Sequence, residues 1–239
     1  MWKRTLDLVV AVLGLLLLCP VLVIIAVAVW WSSRGPVLFR QIRVGQDGRD
    51  FILLKFRTMR VRRGSEAGSF DVGDASRVTP VGTFLRATKL DELPQFWNVV
   101  RGDMSLVGPR PEVRRWVEVF PDRWATVHSV RPGITDPASI LYRHEERLLA
   151  ACSDPEQLYR TEILPRKLDL YESYVRNRSF TSDLGILWRT GVVLVGGLLP
   201  EVWRRPTRSG FTTAGHGLVS GLPSACGMAA PPHGGRQDL

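Results

Sequence analysis

Apolar and polar positions fall into distinct regimes along the chain. From Leu8 to Trp31, 24 residues pass without a charge. As one helix that run would measure about 36 Å, long enough to cross a hydrocarbon core of about 30 Å with tilt. Pro20 stands at its midpoint, where it removes a backbone hydrogen bond and crowds the preceding turn, so the pattern predicts a kink. Val37-Leu-Phe-Arg-Gln-Ile-Arg-Val44 and Asp50-Phe-Ile-Leu-Leu-Lys-Phe56 flank Gly45-Gln-Asp-Gly48 and predict a β-hairpin. Residues 61–76 are polar and glycine-bearing and read as a loop. Helical spacing returns over 80–101, 111–128 and 142–176, with a break expected at Pro165. Residues 183–203 are apolar again. Only Thr190 to Pro200 is wholly uncharged, too short to span, so an interfacial helix is expected there. From Arg204 onward, Gly, Pro, Ser and Ala without periodicity predict a disordered tail.

The expected fold is α+β and mainly helical. A proline-broken re-entrant membrane helix occupies 1–34, and a cytosolic domain with a small hairpin and interfacial helices occupies 35–203. The tail fills 204–239. Basic residues on both sides of the apolar run, Lys3 and Arg4 before it and Arg34, Arg40 and Arg43 after it, allow both ends to stay cytoplasmic. A cleavable signal peptide and a single-span anchor are the competing readings; the length of the run disfavours the first.

The formal charge of +9 and pI near 10.2 call for an anionic partner: nucleic acid, an anionic membrane surface or a phosphorylated substrate. No nucleic-acid motif accompanies the charge, so nucleic acid is not expected. Cys19, Cys152, Cys226 and the four histidines lack zinc spacing, and the chain has neither a P-loop nor a Gly-x-Gly-x-x-Gly.

Candidate chemistry gathers at Asp91 and Glu92. Adjacent carboxylates on a helix point about 100° apart, so they suit two different tasks. One can attack an activated phosphate as a nucleophile, and its neighbour can hold Mg2+ together with substrate phosphates. A plainer alternative is that Asp91 caps a helix beginning at Glu92, with Pro94 in its first turn. The basic surroundings favour chemistry. Lys55 and Arg57 close the second strand, Arg86 and Arg110 flank the pair, and Arg131 sits in the stiff Arg131-Pro-Gly-Ile turn. Arginine forks suit phosphate oxygens. A solvated basic face that docks on anionic lipid explains some of these charges equally well.

The ordered combination resembles a known family. Lys3-Arg4-x-x-Asp7 precedes the apolar run, and Gly35-Pro-Val-x-Phe-x-Gln-x-Arg-x-Gly45 and Lys55-Phe-Arg-Thr-Met59 follow it. Next come Leu90-Asp-Glu-Leu-Pro-Gln95, Asn98-Val-Val-Arg-Gly-Asp-Met-Ser105, Val107-Gly-Pro-Arg-Pro111 and Arg131-Pro-Gly-Ile-Thr135. This pattern, over about residues 2–200, resembles the bacterial sugar transferase family, the monotopic polyprenyl-phosphate phosphoglycosyl transferases, in its minimal form. The resemblance implies transfer of a sugar-1-phosphate from a UDP-sugar to undecaprenyl phosphate, with release of UMP. It implies Asp91 as the nucleophile that carries a covalent phosphosugar, Glu92 as a ligand of a Mg2+ cofactor, and Lys3, Arg4 and Pro20 at the lipid-phosphate interface. It places the protein on the cytoplasmic face of the bacterial inner membrane, among its lipids, as the first membrane step of exopolysaccharide, O-antigen or glycoprotein glycan assembly, and leaves a homodimer open. The chain departs from the common pattern at Asp136-Pro-Ala-Ser139, so sugar preference is not borrowed. A non-catalytic, membrane-anchored scaffold for glycan-assembly enzymes is the alternative.

Overall fold

The computed structural model describes residues 2–61, 75–143 and 145–198; the expected tail and most of the expected loop lie outside them. Two N-terminal helices, α1 (Trp2–Leu17) and α2 (Cys19–Ser32), meet at a bend of 62°. Pro20, in the first turn of α2, has no N–H to offer the turn before it. Among the described residues no single helix is long and apolar enough to cross a membrane; the bent pair together passes that test. Asp7, Ala11, Ile25 and Val29 are buried against the body of the protein, whereas Leu13, Leu16, Leu17, Val23, Ile24 and Val27 stay exposed. The pair therefore has a packed inner stripe and a bare apolar outer face.

Strands β1 (Leu38–Val44) and β2 (Asp50–Phe56) form the predicted antiparallel hairpin, in register from Leu38 opposite Phe56 to Val44 opposite Asp50. The free edge of β2 is closed by a side chain. Asn98 accepts from the Leu54 N–H at 3.1 Å and donates to the Ile52 carbonyl at 2.7 Å. A second, parallel pair joins β3 (Ser105–Val107) to β4 (Gly133–Thr135). Strands of three residues carry no readable alternation, so the sequence did not predict them. The two backbones nearly touch: a Cβ on Gly133 would lie 2.1 Å from the Gly108 nitrogen. The glycines of Val107-Gly-Pro-Arg-Pro111 and Arg131-Pro-Gly-Ile134 are thus required by this crossing.

The expected helix over 80–101 is three pieces: α3 (Pro80–Thr88), a 3-10 turn (Leu90–Glu92) and α4 (Gln95–Arg101). Lys89, at φ 59°, ends the first, and Pro94 stands immediately before the last. The stretch 111–128 divides into α5 (Arg114–Val117) and α6 (Pro121–Val127), and α7 (Pro137–Leu141) follows β4. Over 142–176 the chain forms α8 (Glu145–Ala150), α9 (Pro155–Leu158), a π-helical turn (Tyr159–Ile163) and α10 (Leu164–Asn177). Pro165 falls in the first turn of α10, where its missing N–H costs little, so the irregularity lies before it. The last helix, α11 (Phe180–Leu198), exposes Leu184, Trp188 and Val192 on one face at four-residue spacing.

One apolar cluster positions the chemistry. Ile25 and Val29 of α2 pack with Phe56 and Leu85, and Leu90 and Leu93 lie against the same group. The turn bearing Asp91 and Glu92 is therefore seated on the apolar cluster that joins the second half of the bent pair to α3 and β2.

Candidate active site

The short turn between α3 and α4 sends its two carboxylates into different surroundings. Glu92 is clamped. Its Oε1 accepts from Lys55 Nζ at 3.1 Å and from Arg110 Nη2 at 2.6 Å, and its Oε2 accepts from Arg110 Nη1 at 3.2 Å. Burial opposes ionisation of Glu92, but the Arg110 and Lys55 charges and the Arg110 hydrogen bonds outweigh it and hold the carboxyl well below the usual range. Reciprocally, Glu92 raises the pKa of Arg110. Lys55 is pushed down by burial despite Glu92 beside it.

Asp91 is different. Its residue is only 7% exposed, and its Oδ1 is buried without a hydrogen-bond partner. Burial raises its pKa, with Lys55 opposing and Glu92 adding to the rise. It caps nothing: the N-cap position of α4 is Pro94, and no side chain bonds that helix start. The plain capping alternative therefore does not describe this turn. A buried anionic oxygen left unpaired is costly, which in native proteins points to a functional demand.

The hairpin and the Gly-Pro-Arg-Pro turn supply the clamp from opposite sides. Lys55 reaches Glu92 from β2, whose register against α4 is fixed by the fully buried Asn98. Arg110 follows the glycine crossing, and the turn is pinned on its far side by Glu112. That carboxylate accepts from Arg43 at 2.8 Å, from the Val113 N–H at 2.8 Å and from Tyr159 Oη at 2.7 Å, while Arg43 also donates to the Pro111 carbonyl.

The other predicted cations are placed elsewhere. Arg86 donates through Nε to Thr58 Oγ1 at 2.9 Å and pairs with the exposed Glu146. Arg57 is buried and spends its Nη atoms on the Ser33 and Arg34 carbonyls, so it closes the end of α2. Arg131 donates to the Gly102 carbonyl, beyond the far end of α4 from the dyad. Arg4 caps that same end, bonding the Val99, Val100 and Met104 carbonyls, where a cation complements the helix dipole. Lys3 donates to the Val107 carbonyl at 3.0 Å and pairs with Asp183. Both N-terminal cations are thus engaged with protein acceptors. Pro20 lies at the bend, distant in sequence from every group of the clamp.

Asp7 and Asn98 entered the sequence reading only as motif positions without a role, and Glu112 did not enter it. Asp7, buried, accepts from Ser105 Oγ at 2.8 Å and from the Leu106 N–H at 3.2 Å, joining α1 to β3. Polar residues within apolar stretches, Asp7 in α1 and Asn98 in α4, are the available signal. Asp136, where the chain departs from the common pattern, is fully buried and caps α7 by accepting from the Ala138 and Ser139 N–H groups. That departure has a structural use.

The bacterial sugar transferase model matches residues 1–197 of this chain. A UDP-glucose:undecaprenyl-phosphate glucose-1-phosphate transferase of Escherichia coli K12 is 41% identical over 196 residues, covering 79% of this chain and 39% of the relative. A protein of the same name from Caulobacter vibrioides is 41% identical over 192 residues, covering 79% of this chain and 67% of the relative. A UDP-N-acetylgalactosamine-undecaprenyl-phosphate N-acetylgalactosaminephosphotransferase of Aeromonas hydrophila is 38% identical, with 79% and 42% covered. The chain thus spans about two fifths of two of these relatives and two thirds of the third. With the motifs now located on one clamped turn and its supports, the chain belongs to the bacterial sugar transferase family.

Proposed function

We propose that this protein transfers a sugar-1-phosphate from a UDP-sugar to undecaprenyl phosphate and releases UMP. The observation that carries the reading is the unpartnered, buried Oδ1 of Asp91 beside a neutralised Glu92, on a turn seated against the bent helix pair. The names of the relatives supply the substrate class. In this reading an Asp91 oxygen attacks the sugar-bearing phosphorus, the bond to the uridylyl phosphate breaks, and UMP departs with that electron pair. An oxygen of the lipid phosphate then attacks the same phosphorus, and Asp91 leaves as a free carboxylate. Burial raises the basicity of Asp91, and exclusion of water protects the acyl phosphate. Lys55 and Arg110, held by Glu92, bring positive charge to the edge of the phosphoryl group.

The donor set fits magnesium of the kind that relies on substrate oxygens. Among the described residues no group of three metal-ligating side chains exists, but Mg2+ needs only one or two carboxylates when phosphates complete its shell. The remaining lone pair of Glu92 belongs to the protein oxygen that would hold it, leaving Asp91 for attack. Such an ion supplies charge neutralisation of the diphosphate.

The bent pair lies in one leaflet with both ends cytoplasmic. Lys3, Arg4 and Asp7 tie its start, and Arg57 its end, to the same body. The exposed faces of α11 and of the bent pair then rest in the bilayer interface, with Trp30, Trp31 and Trp188 at headgroup level.

Asp91→Asn is expected to abolish UMP release from UDP-sugar and undecaprenyl phosphate; unchanged turnover would refute the mechanism. Absence of UMP release from the wild type with any UDP-sugar would return the scaffold reading. Cysteines introduced by Trp2→Cys and Arg40→Cys should both label from the cytoplasmic side, and labelling from opposite sides would exclude the re-entrant topology.

A further inference from the structure

Lys89 is the residue at which α3 ends and the dyad turn begins. Its backbone sits at φ 59° and ψ 15°, in the left-handed region, with its N–H closing α3 on the Arg86 carbonyl and its own carbonyl accepting from the Glu92 N–H. A helix terminus of this geometry favours glycine, because a Cβ is strained there. This chain places a lysine instead. Strained non-glycine positions in folded proteins concentrate at functional sites.

The side chain has no internal employment. Lys89 is exposed, and among the described residues its ammonium makes neither an ion pair nor a hydrogen bond. Its neighbours differ in this respect: Lys55 and Arg110 are both committed to Glu92. The centre is electrically balanced without Lys89: Asp91 and Glu92 face Lys55 and Arg110, and of the next charges felt there Asp136 acts on Arg110 and Arg43 on Lys55. Lys89 is therefore surplus positive charge. It is close enough to matter, because its charge favours the ionised form of both Asp91 and Glu92. Leu85, before it in the chain, shares an apolar cluster with Ile25 and Val29 of α2, and Leu90, after it, packs against that cluster, which brings this turn near the bent pair.

We propose that Lys89 is a phosphate-binding residue of the reaction centre, its ammonium holding a phosphoryl oxygen of a substrate positioned at Asp91. The inference rests on the reading of Asp91 as the nucleophile. The phosphoryl group belongs either to the donor diphosphate or to the lipid acceptor, and the two give different kinetic signatures. A flexible lysine suits this task as a mobile point charge, whereas the arginine fork of Arg110 is already oriented by Glu92.

The backbone conformation provides a test that separates binding from structure. Lys89→Gly removes the charge and relieves the strain, so a purely structural role would be served as well or better by glycine. In the full-length protein, UMP release is measured with UDP-glucose or UDP-N-acetylgalactosamine and undecaprenyl phosphate, each varied in turn. Lys89→Gly is expected to raise one KM by about tenfold, as loss of a charge-assisted contact implies, with Tm unchanged or higher. A rise in the UDP-sugar KM assigns the contact to the donor, and a rise in the lipid KM assigns it to the acceptor. Lys89→Arg is expected to keep both KM values within about twofold. Both KM values unchanged in Lys89→Gly would overturn the proposal while leaving the Asp91 reading intact. Turnover surviving Asp91→Asn would instead remove the reading on which it rests.

Discussion

Glu92 and Glu112 are two partly buried carboxylates on either side of Arg110, and the pKa of each is lowered from its ordinary value. In each case the burial that opposes ionisation is outweighed by cations, Arg110 and Lys55 for Glu92, and Arg43 and Lys167 for Glu112. They differ in what surrounds them. Glu112 accepts from a guanidinium, a backbone N–H and a phenol, and its network is closed. Glu92 is equally well held, but the residue just before it, Asp91, buries an oxygen with no partner, and among the described residues Lys89, three before it, carries a free ammonium. A complete polar network rigidifies; an incomplete one beside it leaves room for a ligand. The first is built as scaffold; the second is the reaction centre we propose.

The largest effect should follow from breaking the clamp. Glu92→Gln leaves the partly buried Lys55 and Arg110 without their counter-charge and should destabilise the fold by about 2–3 kcal/mol, less than for a fully buried pair because both cations keep some solvent. It should also lower kcat/KM by about 10–100-fold, as loss of a residue that orients a reactive group commonly does. Denaturant midpoints and UMP release measured together check this, and a stable, fully active variant would erase the contrast with Glu112.

The Glu112 network should respond in the opposite proportion. Tyr159→Phe removes one hydrogen bond to a partly buried carboxylate and should cost about 1.5–3 kcal/mol of stability. Below the unfolding transition, kcat should stay within about twofold, because the change lies in a network read here as scaffold. A collapse of kcat at unchanged stability would show that the far side of the Arg110 turn is catalytic as well.

Acidification sharpens the same contrast by a smaller amount. Burial raises the Asp91 pKa, and the proposed mechanism needs Asp91 ionised, so activity should fall as pH drops through a value above the ordinary 3.8. The Glu92 pKa is depressed; its stabilising contribution is present above its unfolded value near 4.5 and is lost only as pH falls through the lower folded value. Asp91 works the other way, favouring the fold when protonated and opposing it when ionised. The acid limb of kcat/KM should therefore appear before the acid unfolding transition seen by near-UV circular dichroism. Coincidence of the two would mean that activity is lost by unfolding alone.

Several elements were legible from residue order. The uncharged run with Pro20 at its centre predicts the bent pair, and the alternation around Gly45-Gln-Asp-Gly48 predicts the hairpin, because both signals are local and periodic. An apolar helix within 183–203 is also legible; the structure begins it at Phe180, and residues 199–203 lie outside those described. The division of 80–101 into α3, a turn and α4 was not legible, since a left-handed lysine leaves no mark on apolar spacing. The strands β3 and β4 were too short to read, although their glycines hinted at a close approach.

The same boundary runs through the site. Sequence placed Asp91 and Glu92 in a basic field, because adjacency and composition survive without a fold. It did not sort that field. Lys55 and Arg110 lie 55 residues apart in the chain and meet only on Glu92. Arg57, Arg4 and Lys3, equally basic and equally near the motifs, are turned onto backbone carbonyls and Asp183. Charge type and local periodicity are properties of the chain alone and determined the bent apolar segment, the hairpin and the dyad. Which charges become neutralised, which carboxylate oxygen is left without a partner and which lysine stays free depend on long-range packing, and the tertiary structure alone decided them.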